Sequence, residues 1–358
     1  MSIEQLATQL EALYGAYGYT PYTMRKFEEY ELYLRNKDFL ISDRVLTFTD
    51  TDGKLMALKP DVTLSIIKNT TDQQDSLRKV FYRENVYRPD SQGFREIMQL
   101  GLECMGSVDD YCLLEVMLLA VSSLRAIGRN FVLDVSHMGL LSQLLLKYGL
   151  MGENEQLILK AISGKNAHEI RSICEKAGVP ADDLADVATL SGTVQQVLPV
   201  LQRVFGDDPV LVRFVNLLNA LERAGADCIN VDFSVVNDMS YYNGIVFRGF
   251  VEGIPDGVLS GGQYDGLMQK MNRKDNAIGF ALYPDLIKRI MADTKAQNMD
   301  AVLLYDDSSD VCAVANGMKK LTDRGLCVKA QRGEMPAGFD GPVYVVKGNE
   351  VSPVEADA

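Results

Sequence analysis

The residues in this sequence best suited to chemistry cluster around one predicted hairpin. Gln99 and Glu103 lie four positions apart in FREIMQLGLE, a segment patterned as a strand. The two-residue period of a strand turns both side chains to the same side of a sheet. An amide and a carboxylate on one face suit a ligand carrying an ammonium or an imidazole. Glu84 lies on the preceding strand, YRENVYR, and Arg88 and Arg95 flank a connection containing Pro89, Asp90 and Gly93. Arginines at the edges of such a loop suit an anion. Tyr241-Tyr242-Asn243-Gly244 introduces a further strand with a polar aromatic edge. Taken singly, each group has a plainer explanation, as arginines solvating strand ends or a polar sheet face in water. Their convergence is what points to a site.

The elements that must position these groups follow from pattern. Leu6, Leu10 and Leu13 have helical spacing, and the helix they predict ends near Gly15 to Gly18. RVLTFTDTDGKLMAL alternates as two short strands around Asp52-Gly53. Lys59-Pro60-Asp61 breaks the second strand, and 62–68 is helical in character. Strands are predicted over 79–87 and 94–105, joined by a loop at 89–93 and paired antiparallel. A buried helix over 109–127 and a strand over 130–135 come next. Residues 140–221 are almost wholly helical in pattern, as an insertion would be. Strands return at 228–236 and 244–251, SGGQYDGL is read as a turn, and 277–282 forms a strand before a helix through Met291. From Asp300 the pattern changes to a small unit of strand, helix over 311–324, and strands CVKAQ and VYVVKG, with VSPVEADA expected as a frayed end. The expected fold class is α+β: an antiparallel sheet with flanking helices in a domain spanning 1–295, a helical insertion at about 140–225, and a small C-terminal α/β domain over 296–358.

Composition narrows the function classes. Of 358 residues, 47% are hydrophobic and 24% charged, and the mean hydropathy is −0.03, which are globular values. The most apolar run, 113–124, is interrupted by Glu115 and falls short of the ~20 residues a bilayer demands. No membrane partner is expected. The first residues carry two glutamates and no basic-then-apolar leader, so secretion is not expected and a cytoplasmic location is. Six scattered cysteines without a CxxC pair, and only two histidines, His137 and His168, give neither a zinc site nor a disulfide framework. No cofactor is called for. Acids outnumber bases 49 to 36, for a net charge of −13, which weighs against a nucleic-acid partner.

Gly18-Tyr19, VLTFTDTDGKLMALKPDVT, YRENVYR with QLGLE, LDVSHMGLL, YYNGIVF, GGQYDGL and AIGFAL occur in the order and spacing of histidyl-tRNA synthetase. Over roughly residues 1–290 the chain resembles that family. The resemblance implies a class II synthetase core, dimeric, with histidine bound across an antiparallel sheet. It also implies pocket residues. Asp61 and Thr63 match the acid and threonine of the family's RPEGT, Gln99 and Glu103 match QLGCE, Tyr241 and Tyr242 match its paired tyrosines, and Arg88 stands at the start of the second motif.

Joining histidine to ATP demands cations around a triphosphate, and here several family positions differ. Asn237 stands where RGLDYY has its arginine, and Leu286 in YPDL stands where GLER ends in one. Gln263 replaces the arginine of GGRYDGL, the second-motif loop is about three residues shorter, and Arg25 occupies the first motif's usual proline position. Recognition groups kept and reaction groups lost resemble the regulatory-subunit branch of the family. Those paralogues have no chemistry of their own, assemble as a hetero-octamer with short-form ATP phosphoribosyltransferase, and relay feedback by L-histidine. On that resemblance Asp61, Gln99 and Glu103 would hold the ligand's ammonium and imidazole, Arg88 its carboxylate, and the tyrosines its ring edge. The rival readings are an active histidyl-tRNA synthetase, disfavoured by Asn237, Leu286 and the acidic charge, and a paralogue that activates another amino acid or modifies a protein. The latter needs a substitute cation, for which Lys59 and Arg95 are the candidates.

Overall fold

The computed structural model describes residues 2–37, 44–70, 77–90, 93–236, 241–291, 299–336, 339–347 and 350–353. Two compact units divide the chain at Met291 and Ala292. In the first, α1 (Ile3–Ala16) starts from a capping box in which Ser2 and Gln5 exchange side-chain bonds with each other's backbone. Short β1 (Thr20–Pro21), β2 (Phe27–Glu29) and α2 (Tyr30–Arg35) lead to the hairpin strands β3 (Thr47–Thr49) and β4 (Leu55–Leu58). Asp61 caps α3 (Val62–Lys68) by accepting from the Leu64 amide, so Pro60 ends the strand and Asp61 starts the helix. The long hairpin of β5 (Leu77–Asp90) and β6 (Gly93–Gly106) precedes α4 (Asp110–Arg125) and β7 (Phe131–His137).

Then come α5 (Met138–Lys147), α6 (Glu153–Ser163), α7 (Ala167–Ala177), α8 (Asp182–Thr189), the two-residue β8 (Ser191–Gly192), α9 (Val194–Phe205) and α10 (Pro209–Arg223). The unit closes with β9 (Ile229–Asp232), β10 (Ile245–Val251), β11 (Leu259–Gln263), α11 (Asp265–Lys270), β12 (Asn276–Leu282) and α12 (Pro284–Met291).

Nine strands form one sheet in the order β1-β5-β6-β12-β11-β10-β7-β9-β8. It is antiparallel except at β1–β5 and β7–β9, where the partners run parallel. Along β6 the alternation is clean. Leu100, Leu102 and Cys104 join Leu6, Leu10 and Tyr14 of α1 and Val116, Leu119 and Leu124 of α4 in the main core. Gln99, Gly101 and Glu103 face the other way. A second core beneath that face joins α3 to Tyr33, Val80, Tyr82, Tyr264 and Ala277. A three-stranded sheet, β2-β4-β3, lies beside it in sequence and exposes Phe27 and Phe48, whose rings meet edge to face 5.4 Å apart.

In the large sheet, the expectations for two strands need correction. Ser260 to Gln263, read as a turn, is strand β11 at the middle of the sheet. Its glycines allow this, because a Cβ on Gly261 would collide with the Gly279 carbonyl and Phe280 Cβ of β12 and with the Phe247 ring. The expected strand over 228–236 is only four residues, since Asp232 turns back to accept from the Ser234 amide at 2.8 Å.

The second unit holds β13 (Ala301–Tyr305), α13 (Val311–Thr322), β14 (Val328–Arg332), β15 (Val343–Lys347) and β16 (Glu350–Pro353) in the order β14-β13-β15-β16. The supposed frayed end therefore begins as an edge strand, with Val351 opposite Val346; residues 354–358 lie outside the described residues. No helix among the described residues is long and apolar enough to cross a membrane.

Candidate functional site

The polar face of β5, β6, β12 and β11 floors a cavity of about 830 Å³, within the range of small-molecule sites. Glycines on that face leave room for the larger side chains packed over them. Gly101 lies under the Tyr82 hydroxyl, Gly262 under the Tyr242 ring, and a Cβ on Gly279 would overlap the Glu103 carboxylate.

All seven residues singled out from sequence line this cavity: Asp61, Thr63, Arg88, Gln99, Glu103, Tyr241 and Tyr242. The start of α3 supplies the first two. Thr63 Oγ1 donates to Glu103 Oε1 at 2.8 Å, and the Tyr264 hydroxyl donates to Glu103 Oε2 at 2.7 Å. Burial pushes the Glu103 carboxyl up to about 8, with its two hydroxyl partners opposing the shift and the nearby Asp61 adding to it. Burial likewise raises Asp61, against the pull of Arg88 and of the Leu64 and Thr63 amides. Arg88 Nε donates to the Pro60 carbonyl at 2.9 Å, and its Nη2 lies 3.8 Å from Asp61 Oδ2. The Tyr241 ring sits between Tyr242 and Tyr264, with centroids at 4.5 and 6.1 Å. Gln99 is 3% exposed, and among the described residues nothing bonds its amide group. That amide is therefore open to a ligand, as buried polar groups require a partner.

Other polar candidates fall elsewhere. Glu84 pairs with Gln99 in register but leaves the cavity to others. Its Oε2 meets Lys59 Nζ at 2.5 Å and its Oε1 accepts from the Met24 amide at 3.0 Å. Lys59, fully buried, is thereby committed to Glu84 and is not a cation of the cavity. Gln263 is also turned away, accepting from the Ile245 amide at 3.1 Å. Arg95 and Leu286 do line the cavity. Asn237 lies outside the described residues.

Sequence reasoning missed Tyr82, Tyr264, Arg248 and Asp256, all of which line the same space. Tyr82 lies opposite Gly101 in the hairpin register, so its place followed from the face of Glu103 once the register was known. Tyr264 stands directly after β11 and was hidden by reading that strand as a turn. Arg248 lies opposite Ser260 and gave no motif signal. Among the described residues no group of histidine, cysteine, aspartate and glutamate side chains is arranged to hold a metal ion.

The arrangement is two-ended in chemistry. Carboxyls, an amide and phenols suit a cation with hydrogen-bond donors, while Arg88, Arg95 and Arg248 suit an anionic group.

Comparison with known proteins fits this geometry. A histidine–tRNA ligase of Methanococcus vannielii is 26% identical over 325 residues, 87% of this chain and 77% of that protein. An ATP phosphoribosyltransferase regulatory subunit of Oceanobacillus iheyensis is also 26% identical, over 77% of this chain and 71% of that one. Among solved structures, an ATP phosphoribosyltransferase regulatory subunit/histidyl-tRNA synthetase from Bacillus halodurans superposes with a TM-score of 0.77 at 22% identity, covering 94% of this chain and 89% of that chain. A chain of the ATP phosphoribosyl transferase (HisG:HisZ) complex from Thermotoga maritima gives 0.62 at 19% identity, covering 79% and 97%. These likenesses establish a histidyl-tRNA synthetase-like fold. The histidyl-tRNA synthetase family model matches residues 1–287, and the chain belongs to that family.

Proposed function

We propose that this chain is a non-catalytic regulatory subunit of ATP phosphoribosyltransferase, required for the first step of L-histidine biosynthesis and for its feedback inhibition. One observation carries the reading. The cavity keeps Asp61, Thr63, Gln99, Glu103 and its tyrosines together while Leu286 lines it where the synthetase motif ends in arginine. Asp61, Gln99 and Glu103 hold the ligand's ammonium and imidazole, Arg88 its carboxylate, and Tyr241 and Tyr242 its ring. The partner is the short-form catalytic subunit, in a cytoplasmic hetero-octamer. Relatives named regulatory subunit support that choice, and relatives named histidine–tRNA ligase match equally well, so Leu286 is what weighs against aminoacylation. Histidine acts by linkage, shifting the assembly only by its differential affinity for two quaternary states.

Self-association as a dimer belongs to the same reading. The exposed aromatic face of β2-β4-β3, with Phe27 40% and Phe48 36% exposed, supports it. Sedimentation of the isolated chain as a monomer at micromolar concentration would remove that element.

A second reading, activation of histidine or another amino acid, draws on Arg95 and Arg248, which line the cavity as cations. Two assays decide between them. Calorimetry should detect L-histidine binding, and histidine-dependent exchange of pyrophosphate with ATP should be absent. Exchange at a synthetase-like rate would establish the second reading instead.

A further inference from the structure

Glu103 is 2% exposed, and among the described residues it takes part in no ion pair. Both of its oxygens meet hydroxyls, those of Thr63 and Tyr264. The groups around it come from every neighbouring element. Asp61 and Thr63 arrive from the start of α3, Tyr82 from β5, Gln99 from its own strand, Tyr241 and Tyr242 from the approach to β10, and Tyr264 from the end of β11. Directly opposite Glu103 on β12 stands Gly279, with no side chain to contribute.

The charges in this shell do not balance around Glu103. Burial holds the four tyrosines far above their ordinary range, so they stay neutral phenols. Arg88 is directed at Asp61 and the Pro60 carbonyl. Arg95 and Arg248 line the cavity, but neither bonds Glu103. A second buried carboxylate charge beside Asp61, without its own cation, is costly, and such a group neutralises instead. Thr63 and Tyr264 fit either state, because a hydroxyl donates to a carboxylate and accepts from a carboxylic acid equally well.

Resting on the histidine reading of this cavity, we propose that Glu103 is a proton-exchanging specificity residue: it is a neutral acid in the free protein and releases its proton to solvent when a cationic ligand group docks beside it. The ligand's positive charge then supplies what the cavity wall lacks. A neutral ligand of the same shape gains nothing from that exchange, so the carboxyl selects for cationic amino acids. Burial sets Glu103 at about 8, which places the exchange across neutral pH. Because docking must expel the proton, the part of the affinity coupled to Glu103 falls about tenfold for each pH unit below that value and levels off above it.

Infrared difference spectroscopy of the full chain reads the carboxyl directly. The free protein at about pH 7 should show a protonated-carboxyl carbonyl band that titrates away near pH 8 and is missing in Glu103→Gln. Saturating L-histidine at about pH 7 should remove the same band. Calorimetry in two buffers of different ionisation heat should then show close to one more proton released by the wild type than by the variant, which subtracts any proton that histidine itself exchanges. A free protein without the band, or a band that survives histidine binding, overturns the proposal. A protein that shows the band but gives no binding heat overturns the histidine reading, and the coupling with it, so the failures are told apart.

Discussion

A carboxyl held by two hydroxyls rather than by a cation affects stability as well as recognition. Its folded value, about 8, is above the ordinary 4.5, so between those values the folded chain holds a proton that the unfolded chain has lost. The group's contribution is fully present below about pH 4.5 and is lost as pH rises through about 8. Glu103→Gln removes that dependence. The variant should therefore gain stability relative to wild type between pH 5 and 8.5, by an amount on the order of a few kcal/mol. Thermal unfolding across that range checks it, and parallel curves for the two proteins would contradict it. Histidine affinity should fall in the same variant by about ten- to a hundredfold, the cost of losing a charged hydrogen-bond acceptor. At this scale much of the site was legible. The spacing of Gln99 and Glu103 placed both on one face, and the family motifs added Asp61, Thr63, Arg88, Tyr241 and Tyr242. Glu84 misled, because the same alternation that puts it opposite Gln99 does not reveal that Lys59 claims it.

Among elements, the junction of β4, α3 and β5 depends on that Lys59–Glu84 pair. Lys59 also donates its amide to the Lys26 carbonyl and accepts from the Tyr87 amide, so one residue ties three segments behind the Asp61 cap. Lys59→Ala should cost about 3–5 kcal/mol, because it leaves a buried carboxylate uncompensated. The double variant Lys59→Met with Glu84→Met should recover most of the loss. Chemical denaturation measures both, and a loss below about 1 kcal/mol for the single variant would show the pair to be weak. Helices and the long hairpin were readable from periodicity and from Asp52-Gly53 and Pro60. β11 was not, because a strand made of Ser-Gly-Gly-Gln has turn composition, and its strand character comes from the two strands that press against it.

At the scale of the whole molecule, every residue lining the cavity belongs to the first unit. Deleting residues 300–358 should leave histidine binding intact, and a truncated chain that stays folded by circular dichroism yet no longer binds histidine would refute this. The small β/α/β pattern of the second unit was legible, whereas its last strand was not, since Pro353 and the acidic residues after it look like an unstructured end. The nine-strand order was beyond reach from pattern alone, because it rests on long-range register between β6, β12 and β11. The most direct test is phosphoribosyltransferase activity of a short-form catalytic subunit, measured with and without this protein over rising L-histidine. The expected result is activity that depends on this protein and falls as histidine saturates its cavity, with the fall shifted to higher histidine in Glu103→Gln. Activity unchanged by the presence of this protein would contradict its assignment as the regulatory subunit.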